Sequence, residues 1–335
     1  GRLLQESALY VLASNISACD EVWVVSRGAG ENLRSIGYKG DYHVMENGVD
    51  MPRGRVSEEA VAAATAGYDL PEGVPVFMFV GRMMWYKGLR IIVDALKLLQ
   101  AGGQDFRMVF IGGGADAAEV QEYAKPLGNK CIFTGAISQR ETLRAWYCRA
   151  DLFLFPSTYD TNGLVVREAA ASDLAAVLIQ GSCAAEGVTD GVDGFLIEEN
   201  AGAMASKLQE ICKHPECMAQ VGRQAGERLY LSWGDAVKRA RERYGVVMEN
   251  YRMGRYEDHH KPMDGVLNAQ GTMMDALARV RDLGDGLAER YREGWEEHKE
   301  EFEERREERR GERRNIRSEL KQKGEALWQK LDRYL

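Results

Sequence analysis

The chain has 335 residues, enough for about two domains of roughly 150 residues each, and at 45% apolar and 29% charged it can bury a core over most of its length. A formal net charge of -8 excludes general nucleic-acid binding, which needs excess Lys and Arg to displace counterions. No apolar run approaches the ~20 residues that span a bilayer, and no signal-peptide pattern is read, so a cytoplasmic protein is expected.

In chain order, residues 3–13 predict a helix and residues 21–26 (EVWVVS) a buried strand that stops at Ser-Arg-Gly. A helix over 31–36 and a strand over 42–45 follow, with Asn47-Gly48 as a turn signal. This is the last αβαβ piece of a domain, and residues 51–72 read as a linker with a short helix. From Val76 the alternation becomes regular. Strands are predicted at 76–80, 107–111, 131–134, 152–155 and 176–179, with a short one at 194–197. Helices are predicted at 88–100, 117–125, 140–149, 163–171 and 201–213, and residues 218–252 read as helical. Alternating strands and helices imply a doubly wound parallel sheet, in which ligands bind beyond the carboxyl ends of the strands. Beyond Gly254 the composition shifts to a Glu/Arg-rich helical tail. It has opposite charges four apart, as in Glu301 and Arg305, and a narrow apolar stripe from Ile316 to Leu335. A solvated helix, a coiled-coil partner and peripheral contact with a membrane all fit that tail.

Four strand ends carry chemistry. Gly81-Arg82 with Lys87-Gly88 puts two cations at one loop mouth, suited to a diphosphate or to ordinary surface charge. Gly112-Gly113-Gly114 with Ala117 matches a dinucleotide fingerprint. The next strand ends at Thr134-Gly135 without a carboxylate for a ribose, which argues against a nicotinamide oxidoreductase. Asp160-Thr161-Asn162-Gly163 leads into a helix that holds Glu168. A helix N-terminus suits an anionic ligand, and carboxylates accept hydrogen bonds from sugar hydroxyls. The plainer reading is an N-cap acid and an exposed helix glutamate. Gly181–Gly187 is a loop of small residues, followed by turns at Asp190-Gly191 and Asp193-Gly194. The six cysteines show no disulfide framework, and Cys212, His214 and Cys217 lack a second cluster to complete a metal site.

Taken together these segments resemble glycosyltransferase family 4, retaining enzymes of the GT-B fold. Met45-Glu46-Asn47-Gly48-Val49-Asp50 is similar to that family's interdomain segment. Phe79-Val80-Gly81-Arg82 with Lys87-Gly88 resembles its phosphate clamp. Phe155-Pro156-Ser157 with Asn162–Ala169 resembles its E-x7-E region, and Glu186 through Ile197 its following Asp-Gly region. Ser232-Trp233 resembles its final segment, where a helix crosses back onto the N-terminal domain. The plainer reading of Trp233 is a core tryptophan. The likeness covers about residues 20 to 250.

The resemblance implies a GT-B, Rossmann-like α/β protein. Its parts would be an acceptor-domain remnant over 1–50, a linker over 51–72, a donor-binding domain over 73–232, a crossover helix over 233–253 and the tail over 254–335. Most of the acceptor domain would precede Gly1. Arg82 and Lys87 would hold the donor diphosphate, with Gly81 letting it approach the backbone. Glu168 would hold the ribose, and Asp160, Asn162, Gly163 and Leu164 would meet the sugar and phosphates. Ile137 would lie near the base. The donor would be a nucleotide sugar, by default a UDP-sugar, with no cofactor and no metal. The acceptor would be a glycan or lipid, as for an enzyme of a bacterial cell envelope. A non-catalytic nucleotide-sugar-binding subunit acting through its tail is the alternative. Three positions depart from the family: Asp160 is one methylene shorter than the usual Glu, Asp173 replaces a Gly, and Ala175 replaces a Pro.

Overall fold

Short apolar runs build the centre of the molecule. In the computed structural model, which describes residues 2–256 and positions 273, 274 and 279 (of residues 2–8 and 10 the backbone alone), β3 (Val76–Val80), β4 (Arg107–Ile111), β6 (Leu152–Phe155) and β7 (Ala176–Ile179) are buried along their whole length. Strands buried on both faces need helices on both sides and run parallel, so continuous apolar stretches replace alternation. With β5 (Cys131–Gly135) and β8 (Phe195–Ile197) they form one six-stranded sheet in the order β5-β4-β3-β6-β7-β8, every pair parallel. The doubly wound α/β class expected from the sequence is therefore the class observed.

This order contains a reversal. From β3 the chain steps outward through β4 to β5, then returns to the other side of β3 and steps outward through β6, β7 and β8. The crevice at the carboxyl ends of β3 and β6 is the topological switch point, where such sheets bind ligands. An aromatic ladder lies beneath it. Phe133 stacks on Phe110 at 4.8 Å, Phe110 meets Phe79 at 6.3 Å, and Phe79 stacks on Phe155 at 6.0 Å between ring centroids. Each such pair adds ~0.5–1.5 kcal/mol beyond its buried area, and the series stiffens the floor of the crevice.

The sheet is wrapped by α4 (Leu89–Ala101) packed on α8 (Ala201–Lys213), α6 (Arg140–Arg149) on α3 (Glu58–Thr65), and α7 (Leu164–Ala171) on α9 (Glu216–Arg228); α5 is Ala117–Ala124. The residues before β3 form α1 (Arg2–Ser17), β1 (Trp23–Val24), α2 (Arg27–Ser35) and β2 (His43–Val44), with β1 and β2 parallel. The last described helix, α10 (Trp233–Arg252), packs on this segment. Arg243 forms an ion pair with Glu21 at 2.5 Å, and Tyr244 meets Trp23 at 4.6 Å.

Four expectations are corrected. The strand over 21–26 contracts to Trp23–Val24, because Ser26 instead caps α2, its hydroxyl accepting from the Ala29 amide at 3.0 Å. Asn47-Gly48 is not a turn: the chain stays extended, and Val49 bridges Ser232 in parallel. Gly48 is small for another reason, since a Cβ there would lie 2.4 Å from the Ser232 carbonyl. The helix over 218–252 breaks at residues 229–232, where the Leu231 carbonyl accepts from Val49 N at 2.8 Å and Ser232 caps α10. Trp233, read as a core residue, opens α10 with 44% of its surface exposed. The charged tail predicted from residue 254 falls outside the described residues, apart from 254–256, 273, 274 and 279. No described helix is long and apolar enough to cross a membrane.

Candidate functional site

The two loops that flank the switch point touch. The loop after β3 carries Arg82 and a short 3-10 turn, Trp85–Lys87. The loop after β6 carries Pro156 to Gly163. They meet because Gly88 has no side chain: it sits at φ 77°, and a Cβ there would lie 2.1 Å from the Pro156 carbonyl oxygen. That contact sets Lys87 Nζ 2.5 Å from Asp160 Oδ1, with both side chains largely buried. The ammonium also lies 5.9 Å from the centre of the Phe155 ring, over the aromatic floor.

The far side of this pair is unsatisfied. Asp160 Oδ2 and Asn162 Nδ2 are both buried without a hydrogen-bond partner. Buried polar atoms normally find partners, and leaving one unpaired costs ~1–3 kcal/mol. Gly163 (φ 58°) then turns the chain into α7, and a Cβ on it would crowd Ala184 at 2.9 Å. Leu164 and Val165 open that helix, where backbone N–H groups have no partner inside the helix. No acid caps α7, since its cap position is Gly163, so the N-cap reading of Asp160 does not hold.

Glu168 lies one turn into α7 and is half-buried. Its Oε2 accepts the Tyr147 hydroxyl at 3.0 Å. Burial pushes the Glu168 carboxyl above the usual range, against the lowering effects of the Tyr147 hydrogen bond and of Arg140. Arg82 lies exposed in the loop after β3, and among the described residues its guanidinium makes no hydrogen bond or ion pair. Gly81 donates to the Ile111 carbonyl at 3.0 Å, and its own carbonyl faces Gly112. Ile137 is half-buried against the core, just beyond a register shift in which Ile111 pairs with Gly135. The structure thus joins Lys87, Asp160, Asn162 and Gly163 in one crevice and sets Glu168 on the helix that leaves it.

The three-glycine run does different work from the one its motif suggests. A Cβ on Gly112 would lie 2.0 Å from the Gly81 carbonyl oxygen, and one on Gly114 would lie 2.4 Å from that of Met83. These glycines let two neighbouring loops close on each other.

Four residues to which sequence reasoning gave no role surround the crevice. Ser26 donates to the Thr161 carbonyl at 2.5 Å. Glu186 accepts from the Arg27 amide at 2.8 Å and the Gly28 amide at 3.2 Å, so residues 26–28 are held against the site loops. Arg167 donates to the Leu229 carbonyl at 2.9 Å and pairs with Glu46. Tyr147 is the fourth. Volume alone points elsewhere: a cavity of about 720 Å³ opens at the amino ends of β6 and β7, beside Asp151 and Asp173, away from these groups.

Residues 74–214 match the family model described as glycosyl transferases group 1. The chain is 26% identical over 206 residues to a GDP-mannose-dependent alpha-mannosyltransferase of Corynebacterium glutamicum, covering 60% of this chain and 47% of that protein. It is 27% identical over 235 residues to a D-inositol 3-phosphate glycosyltransferase of Streptomyces avermitilis, covering 66% and 50%. The chain spans about half the length of the curated relatives it matches. Among solved structures, sucrose-phosphate synthase from Thermosynechococcus elongatus aligns with a TM-score of 0.61 at 25% identity, over 73% of this chain and 62% of that one. Anabaena HepE in complex with UDP and glucose aligns with a TM-score of 0.61 at 20% identity, over 72% and 67%. The switch-point sheet of this chain shares the GT-B fold of the glycosyltransferase structures it aligns with, and residues 74–214 are similar to the glycosyl transferases group 1 family.

Proposed function

We propose that the crevice between the β3 and β6 loops binds a nucleotide sugar and that the protein transfers its sugar, with retention of configuration, to a glycan or lipid acceptor. The observation that carries this reading is the pair of orphaned polar atoms, Asp160 Oδ2 and Asn162 Nδ2, buried beside Lys87 at the switch point. A carboxylate oxygen accepts from a sugar hydroxyl and an amide N–H donates to a phosphate or hydroxyl oxygen. A nucleoside diphosphate hexose offers both.

In this reading Lys87 and Arg82 meet the diphosphate, and the opening amides of α7 add a helix N-terminus to it. As the bond between anomeric carbon and phosphate oxygen breaks, negative charge grows on the departing diphosphate, and these positive groups stabilise it there. They supply the charge that a metal ion would otherwise bring, and the donor needs no cofactor. Asp160 holds the sugar, with Asn162, Gly163 and Leu164 along the phosphates. Glu168 accepts from the ribose hydroxyls, Gly81 gives the donor a close backbone approach, and Ile137 covers the base. Retention follows if the acceptor hydroxyl attacks on the face the diphosphate leaves, a leaving-group oxygen taking its proton. UDP is the expected nucleotide. The relatives bear names that include GDP-mannose and inositol phosphate, so base, sugar and acceptor are separate questions. A thermal-shift panel of UDP-, GDP- and ADP-sugars tests the reading: one class raises the melting temperature, and a flat response to all of them contradicts it.

A further inference from the structure

Tyr147 has no part in the chemistry above, yet it is the wholly buried residue that touches it. It lies on α6, 0% exposed, with its ring 5.9 Å from that of Phe153 on β6. A buried phenol must find a partner for its O–H. Here the partner is not a backbone carbonyl of its own helix but Glu168 Oε2 on α7, 21 residues away. The other carboxylate oxygen, Oε1, makes no hydrogen bond among the described residues and is not sealed from solvent. One oxygen is anchored from below and one is presented.

We propose that Tyr147 is a positioning residue for donor binding: its hydroxyl locks the Glu168 carboxylate so that Oε1 faces the ribose hydroxyls of the nucleotide. The proposal rests on the reading of Glu168 as the ribose acceptor. The geometry is suited to it. The ring is fixed by packing against Phe153, so the hydroxyl cannot follow a wandering carboxylate and instead selects one rotamer of it. The hydroxyl keeps its proton, because burial and the neighbouring Glu168 both push its ionisation well above the usual range. It therefore donates at any working pH and favours the charged carboxylate, the better acceptor for a diol. The other surroundings of Glu168 are simple. From α6 comes Arg140, itself paired with Asp50 at 2.5 Å, and β6 and β7 carry no titratable group. The charged side chains of α9 do not contribute to its shift.

A merely structural hydrogen bond would affect stability alone. Positioning makes a different set of predictions, read by calorimetry on the full chain between about pH 5 and about pH 8. The probe is whichever of UDP, GDP and ADP binds tightest, together with its 2′-deoxy form. In the wild type, affinity falls on the acid side as Glu168 takes up a proton, and the ribose form binds tighter than the deoxy form. In Tyr147→Phe, which keeps the ring that fills the core, the midpoint of that fall moves to higher pH. Affinity near neutrality drops about three- to tenfold, and the preference for ribose shrinks. Glu168→Gln abolishes the acid fall and is the reference for complete loss. A Tyr147→Phe chain that melts as a folded protein but keeps the wild-type midpoint and ribose preference overturns the positioning role while the ribose role of Glu168 stands. A wild type that binds both nucleotide forms equally, with Glu168→Gln no weaker, overturns the ribose reading and the proposal with it. Should Tyr147→Phe fail to fold, 3-fluorotyrosine at position 147 replaces it. Its more acidic hydroxyl moves the midpoint to lower pH, and an unmoved midpoint counts against positioning.

Discussion

Lys87 and Asp160, 73 residues apart in the chain, form an ion pair at 2.5 Å across the switch point of the sheet. Neither residue could find the other without Gly88 closing on Pro156. The pair gives the site two faces, because Asp160 spends Oδ1 on the cation and leaves Oδ2 buried and unpaired. On the proposed reading, a donor diphosphate entering this crevice would compete with Asp160 for Lys87, while its sugar would offer Asp160 a new partner. Asp160→Asn should therefore bind a bare nucleoside diphosphate more tightly than the wild type, since Lys87 is released and a negative charge removed. It should also lose the extra affinity contributed by the sugar. Calorimetry with UDP and UDP-glucose measures both effects, and equal gains from the sugar in the two proteins would contradict the assignment of Asp160.

Gly88→Ala probes the loop contact itself. The left-handed conformation costs a side-chain-bearing residue about 1–2 kcal/mol, and the clash with the Pro156 carbonyl adds overpacking of about 1–3 kcal/mol. Stability should fall by roughly 2–5 kcal/mol in denaturant unfolding, and nucleotide affinity should fall with it as the loops separate. Gly113→Ala, in the next loop, has open space around its position and should change stability little.

Glu168 should stabilise the protein least where it binds best. Its carboxyl is raised by burial, so its contribution to folding is complete below the ordinary carboxylate range and is lost as pH rises through the raised value. Above that raised value it is charged and half-buried. Glu168→Gln should be more stable than the wild type there, and the gain should vanish in acid. The same variant should bind nucleotide more weakly. Urea unfolding at two pH values checks the sign, and a variant that is less stable at neutral pH contradicts it.

The docking of α10 has the opposite pH sign. Glu21 is held below its usual range chiefly by the Arg243 hydrogen bond, so its contribution is present above the ordinary carboxylate range and is lost as pH falls through the depressed value. Arg243→Ala should cost about 1–2 kcal/mol near neutrality and flatten this part of the acid dependence. Hydrogen exchange at the β1 and β2 amides, faster in the variant, would show that the loss falls on this contact.

The parts of the protein legible in its sequence are those set by local pattern. The bounds of β3, β4, β6 and β7 follow from apolar runs that end at Gly81, Gly112, Pro156 and Gln180; Arg107, which opens β4, is buried only because Asp69 and Asp105 pair with its guanidinium. The order of those strands is a long-range property, so the switch point that joins Lys87 to Asp160 was visible only through family likeness. Glycines were legible as punctuation and misread in purpose. Gly48, Gly112 and Gly114 are small because another backbone passes within van der Waals contact, and nothing local signals that. The break before Trp233 was hidden in a helix-favouring stretch, and its one local sign was Ser232 three residues ahead of Asp235. Tyr147 could not be singled out, since an aromatic on the buried face of a helix reads as core, and it is core. Asp173, which stands where the family pattern has a Gly, is the one non-glycine residue at positive φ (55°) among the described residues, a conformation that Asp adopts more readily than most side-chain-bearing residues.

On the proposed reading the Lys87 crevice receives a diphosphate. Calorimetric titration of UDP and GDP into the wild-type chain and into Lys87→Ala tests it most directly. The wild type should bind at least one nucleotide, and the variant should lose ~1.5–3 kcal/mol, or about 10- to 150-fold in affinity. Lys87→Ala binding that nucleotide as tightly as the wild type would contradict it.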